Sequence, residues 1–120
     1  MTTLLFAATL LCVLANAAIA LADYARAGFV LRNSAEVRVP ERALPWLATL
    51  KLAGAVGLVA GLAWEPWLGV AAGAGLTLFF VGAVAAHLRA RVLHNVAFPG
   101  LYLLLAAAAL AHLADRAAGG

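Results

Sequence analysis

A chain of 120 residues with 67% apolar and only 11% charged side chains cannot hide its hydrophobic surface as a soluble domain, because a domain this small removes only ~60–70% of its surface from water. The net charge of +3 comes from arginines that flank apolar runs rather than from a basic block, a pattern that sets membrane topology and speaks against nucleic acid. The single cysteine, Cys12, lies inside an apolar run. It excludes an intrachain disulfide and leaves no metal-ligand spacing, so it reads as a packing residue.

In chain order, residues 3–22 carry no charge and one amide, Asn16, which is long enough to cross ~30 Å of hydrocarbon as a helix. Ala20-Leu21-Ala22 resembles a signal-peptide cleavage site, but residues 1–5 lack the Lys or Arg of a signal's basic start. Residues 23–45 hold Asp23, Arg26, Arg32, Glu36, Arg38, Glu41 and Arg42 with Pro40 and Pro45, and are expected to be the one substantial polar loop. Val37-Arg38-Val39 alternates as a short extended piece would, and the prolines disfavour a long helix through the loop's second half.

The second span is predicted over 46–64, bracketed by Trp46 and Trp64, whose rings are suited to the two headgroup levels about 27 Å apart. Glu65-Pro66 makes a tight turn into a third span over 67–88. A polar segment, 89–95, leads to a fourth over 96–114, with Pro99 in its first turn, where a missing N–H costs least. The fold class is therefore all-α, a single integral membrane domain built as a four-helix bundle. Loops 23–45 and 89–95 share one side with seven of the eight basic residues, and the other side has only Arg116. The positive-inside rule then puts both loops in the cytoplasm and both termini outside.

Polar groups at membrane depth are costly, and each is a candidate for function. Asn16 and Asp23 are seven residues apart, on one face of the first helix. Lys51 lies inside the second span, His87 ends the third, and Arg91 is one turn beyond it. If their faces turn inward, Asp23, Lys51 and His87 would share a polar site at the cytoplasmic mouth with Asn16 as its deeper wall, able to move protons or to hydrogen-bond a polar ligand head. Each also has a plain structural reading. Lys51 would snorkel to the headgroups, Asp23 would pair with Arg26, Asn16 would bond another helix, and His94 and His112 would be solvated or interfacial. Glycines crowd the second and third spans, and Gly69-x-x-x-Gly73 fits a close-packing motif for a tight hairpin. Walker, dinucleotide, haem-attachment and zinc-protease signatures are absent.

Two stretches carry a family resemblance: Val39-Pro40-Glu41-Arg42-Ala43-Leu44-Pro45 with Leu50 to Leu58 after it, and Gly69 to Leu76 with Phe80 to Arg89 after it. In these, above all in Lys51 and His87-Leu88-Arg89, the chain resembles the DoxX-like family of small four-helix membrane proteins. That resemblance implies fold and membrane location more than a reaction. The family takes its name from a small subunit of a thiosulfate:quinone oxidoreductase.

The leading expectation is a binding or accessory subunit that holds a quinone or lipid-like molecule, or a membrane or cytoplasmic redox partner, with Asn16, Asp23, Lys51, His87 and Arg91 as ligand-binding candidates. The alternative is a small membrane isomerase or hydrolase using Asp23, Lys51 and His87 as acid–base groups. A small multidrug-type transporter is a third reading, but the first span offers Asn16 where that class needs a carboxylate. The expected partners are the lipid bilayer, a redox protein and, as a homo-oligomer, a second copy of the chain; no nucleic acid is expected.

Overall fold

Runs of Leu, Ala, Val and Gly that would be unstable alone in water become long helices here. They are α1 (Thr2–Tyr24), α3 (Leu44–Ala63), α4 (Pro66–Arg89) and α5 (Ala97–Ala117), with a short α2 (Gly28–Glu36) between the first two. The computed structural model describes residues 1–119. Each long helix is apolar and long enough to cross a membrane, and only 22–33% of its residues are buried inside the protein. The rest, including Leu14, Leu50, Leu78 and Leu104, face outward. So much contiguous exposed apolar surface suits lipid, not water.

The long helices alternate in direction. α1 neighbours α3 and α5, and α4 neighbours the same pair, so the bundle closes as a square with α3 and α5 touching across its shorter diagonal. Cys12, Leu58, Leu76, Phe80, Ala106, Ala109 and Leu113 fill its centre. Tyr102 ties α5 to α1 by donating its hydroxyl to the Ala15 carbonyl at 3.1 Å.

The turn between α3 and α4 is as short as Glu65-Pro66 predicts. Glu65 caps α4 by accepting from the Trp67 N–H at 3.2 Å, and Pro66 takes the first helical position. Below the turn the helices touch through glycine. A Cβ on Gly61 would stand 2.6 Å from the Gly69 nitrogen, and one on Gly57 would stand 2.6 Å from the Ala72 Cβ. The Gly69-x-x-x-Gly73 pair serves α5 as well: Gly69 lies under Leu113, and a Cβ on Gly73 would stand 2.9 Å from the Leu110 Cα. It is therefore a three-helix contact rather than the two-helix hairpin contact expected.

The segment expected as a polar loop, 23–45, is largely structured. α1 runs on to Tyr24, and Glu41–Ala43 forms a single 3-10 turn into α3. Val30, Ser34 and Val37 recur at helical spacing and are all buried, which makes residues 28–36 an amphipathic helix. No strand forms at Val37–Val39, because Arg38 takes the left-handed conformation (φ 63°) that ends α2.

That ending is repeated. Arg26, Arg38 and Arg91 all have positive φ (53°, 63° and 59°), and each lies just past the end of α1, α2 or α4. Around each, the next residue's N–H reaches back to the last turn: Ala27 to the Ala22 carbonyl at 3.0 Å, Val39 to Ser34 at 2.8 Å and Val92 to His87 at 2.8 Å. These are Schellman closures, where glycine is the usual residue. An L-residue there costs ~1–2 kcal/mol. At the opposite end of the bundle, α5 ends with the glycine, Gly119 at φ 85°.

Candidate functional site

The end of the bundle that carries α2 encloses a cavity of about 440 Å³, within the ~300–1,000 Å³ range of small-molecule sites. Its walls are mostly apolar, with aromatic rings from Phe29 on α2, Phe79 and Phe80 on α4, and Phe98 and Tyr102 on α5, while Arg32, Ser34 and Glu36 of α2 also line it. Against these walls stand two polar groupings.

The first is an ion pair. Asp23, in the last turn of α1, and Lys51, in α3, form a direct salt bridge and are 3% and 8% exposed. Lys51 therefore points into the bundle instead of snorkelling outward, and its ammonium also stands 5.5 Å from the centre of the Phe79 ring. The expected pairing of Asp23 with Arg26 does not form. Arg26 has left helical geometry, so the i,i+3 relation is lost, and its guanidinium reaches Glu41 at 3.2 Å. A buried ion pair adds little net stability while intact, but removing one partner costs ~3–5 kcal/mol.

The second grouping centres on His87, 4% exposed in the last turn of α4. Its Nδ1 faces the Ala83 carbonyl at 2.8 Å, so Nδ1 carries a proton. Its Nε2 lies 3.0 Å from the Asn33 side-chain oxygen, which also accepts from the Asn95 amide at 2.9 Å. With Asn33 turned this way Nε2 faces an acceptor, and the Asn95 oxygen is left buried without a partner. A neutral ring requires Asn33 to turn its NH2 group toward Nε2. That same turn lets Asn33 donate to the Asn95 oxygen if Asn95 turns as well.

The remaining sequence candidates lie elsewhere. Asn16 is fully buried but is not part of the cavity wall. Its amide N–H donates to the Cys12 carbonyl of its own helix at 3.0 Å, not to another helix, and its side-chain oxygen is buried without a partner. Arg91 is exposed and lies off the cavity. α4 ends at Arg89, so Arg91 does not continue the His87 face. His94 is exposed and pairs with Glu36 at 3.0 Å. His112, expected to be solvated or interfacial, is 3% exposed against Phe6, with neither ring nitrogen partnered. Its position on α5 turns the ring inward beside α1.

Sequence reasoning missed Asn33 and Asn95, which bring the polar segments to His87. The i, i+4, i+7 spacing of Val30, Ser34 and Val37 was the signal for α2 and for the placement of Asn33 beside its buried face. Among the described residues, no group of His, Cys, Asp and Glu is arranged to hold a metal ion.

No curated protein and no solved structure matches the chain. The sequence model of the DoxX-like family matches residues 7–109, which includes α3 and α4, most of α1, the first part of α5 and every residue of the cavity wall. A multi-pass membrane protein of four apolar helices, the chain belongs to the DoxX-like family.

Proposed function

We propose that the protein is a binding or accessory membrane subunit whose cavity holds a quinone or lipid-like molecule. One observation carries this reading: a mostly apolar space of about 440 Å³ with several aromatic rings in its wall, whose buried polar contacts are Asp23–Lys51 and His87–Asn33–Asn95. Such a site takes a mostly apolar molecule and orients it by one polar head. Ring faces pack on Phe79, Phe80 and Phe98. A carbonyl or hydroxyl oxygen of the ligand accepts from the Lys51 ammonium, which has donors to spare beyond Asp23, or from an Asn33 or Asn95 amide. With both loops cytoplasmic, as the basic asymmetry favours, the cavity opens toward the cytoplasm, where a redox partner would meet it.

The alternative is an isomerase or hydrolase acting on a hydrophobic substrate. It is supported by Lys51 and His87 lining the same cavity, since both can transfer protons. The lock between Asp23 and Lys51 weighs against it, because each holds the other. A small multidrug-type transporter is disfavoured, because the first span offers the neutral Asn16 at depth and Asp23 is paired with Lys51.

Gly82 supplies the test. It lines the cavity at an exposed position, and a Cβ there would meet nothing within 4 Å, so Gly82→Phe is expected to crowd the cavity wall without disturbing the packed helices. Protein extracted in mild detergent is to be denatured and its released small molecules identified by mass spectrometry. A near-stoichiometric apolar molecule is expected from the wild type and not from Gly82→Phe. Equal recovery from both proteins, or recovery of bulk membrane lipid alone, would refute the reading. Turnover of an added substrate that is lost in Lys51→Ala would support the enzyme instead.

A further inference from the structure

We propose that the α2 end of the bundle carries an arginine collar that binds the phosphate groups of anionic phospholipid. Arg26, Arg32, Arg38, Arg42, Arg89 and Arg91 are all exposed, and the antiparallel arrangement brings them to this one end. The exposed carboxylates there are Glu36 and Glu41, and they are engaged by His94 and Arg26. Among the described residues, the other five arginines form no ion pair.

Their setting points to lipid rather than to a soluble partner. The collar stands where the outward apolar surface stops. Leu88 and Leu93, 54% and 63% exposed, flank Arg89 and Arg91, and Trp46, 75% exposed, follows Arg42 by one helical turn. Acyl chains against the leucines would bring headgroups to the height of the guanidinium groups, and guanidinium binds phosphate through two parallel hydrogen bonds.

The backbone supplies a second observation. Three helices at this end close with arginine in the left-handed conformation, whereas α5 closes with glycine at the other end. Arginine at these positions is worse for the fold than glycine would be. Arg26 is used within the protein, on Glu41, but at Arg38 and Arg91 neither helix closure nor an ion pair gives a reason for a guanidinium, and a contact beyond the protein does. Backbone strain that the fold does not need points to function.

The same geometry makes the test clean. Arg38→Gly/Arg91→Gly relieves two strained closures, so the variant should fold and, without lipid, should melt no lower than the wild type. Full-length protein in mild detergent is to be titrated with phosphatidylglycerol or with phosphatidylcholine of the same acyl chains, and bound lipid counted by native mass spectrometry. The wild type should prefer phosphatidylglycerol. The variant should lose that preference by about fivefold for each arginine removed, with phosphatidylcholine binding unchanged. The preference should also weaken as salt is raised. Equal binding of the two lipids by the wild type would overturn the proposal, as would undiminished phosphatidylglycerol binding by a folded variant. Gly82→Phe, which crowds the cavity wall, should leave the preference intact, so failure of the collar and failure of the cavity reading are distinguishable.

Discussion

Adding one methyl group to Gly61 should separate α3 from α4, and the size of the effect can be worked out in advance. The new Cβ would stand 2.6 Å from the backbone nitrogen of Gly69 and 2.9 Å from the Leu113 Cδ1, against ~3.5–4.0 Å for relaxed contact between heavy atoms. Leu113 can turn its terminal methyl aside, but Gly69 offers only backbone, so the helices must part by about 1 Å. Overpacking of this kind costs ~1–3 kcal/mol. Replacing glycine by alanine within a helix returns ~0.5–1 kcal/mol. The net expectation for Gly61→Ala is a loss of ~1–2 kcal/mol. Gly75, on α4, is the matched control: a Cβ there would meet nothing within 4 Å. Only the helix term remains, and Gly75→Ala should stabilise by ~0.5–1 kcal/mol. Reversible unfolding in mixed micelles with increasing dodecyl sulfate, followed by circular dichroism, measures both. If Gly61→Ala proves as stable as Gly75→Ala, the helices are not held at glycine contact and the reasoning fails.

Lys51→Met should leave Asp23 buried and unpaired, destabilising by ~3–5 kcal/mol, and adding Asp23→Asn should recover most of that loss in the same unfolding assay. Asn33→Ala cuts the tie from α2 to His87 and Asn95. Amide exchange in residues 28–36 should rise about tenfold for ~1–2 kcal/mol of lost hydrogen bonding, while α3 and α4 keep their protection. Tyr102→Phe removes the hydroxyl bond to Ala15 and should cost ~1 kcal/mol, read as a lower unfolding midpoint. A cysteine at Gly119 in a Cys12→Ala background should react with an impermeant maleimide on intact cells, as both termini outside requires; labelling only after permeabilisation would reverse the orientation.

The spans were legible because hydropathy and length act locally. The run from Thr3 to Ala22 holds no charge and one amide, which argues for lipid, and Glu65-Pro66 allows little except a turn. Lys51 and His87 were legible as candidates because charge at depth is rare enough to stand out. The choice of partner was not, since it depends on where helices end. Asp23 pairs with Lys51 and not Arg26 because α1 stops at Tyr24 and Arg26 turns left-handed, and no composition rule announces a left-handed arginine. α2 was hidden for a related reason. Its charged face and the nearby prolines outweighed three small or β-branched residues at helical spacing, and burial of that stripe depends on Ile19 and Leu44 from other helices. Asn16 looked like an interhelical bridge, yet a carbonyl four residues back is always within reach in a helix.

α2 is attached to the rest of the protein in two unlike ways. On one side Val30 packs with Ile19 of α1 and Leu44 of α3, whereas on the other the helix reaches His87 and Asn95 through the side chain of Asn33, and His94 through Glu36. The first attachment resembles a hinge pin and the second a latch. Releasing the latch breaks the two hydrogen bonds of Asn33 and the Glu36–His94 pair, which water can replace once the helix lifts. By contrast, parting α3 from α4 means breaking backbone contact at Gly61 and Gly69. α2 can therefore lift by breaking side-chain contacts alone, those of Asn33 and the Glu36–His94 pair, on the timescale of loop motion, while the long helices stay still.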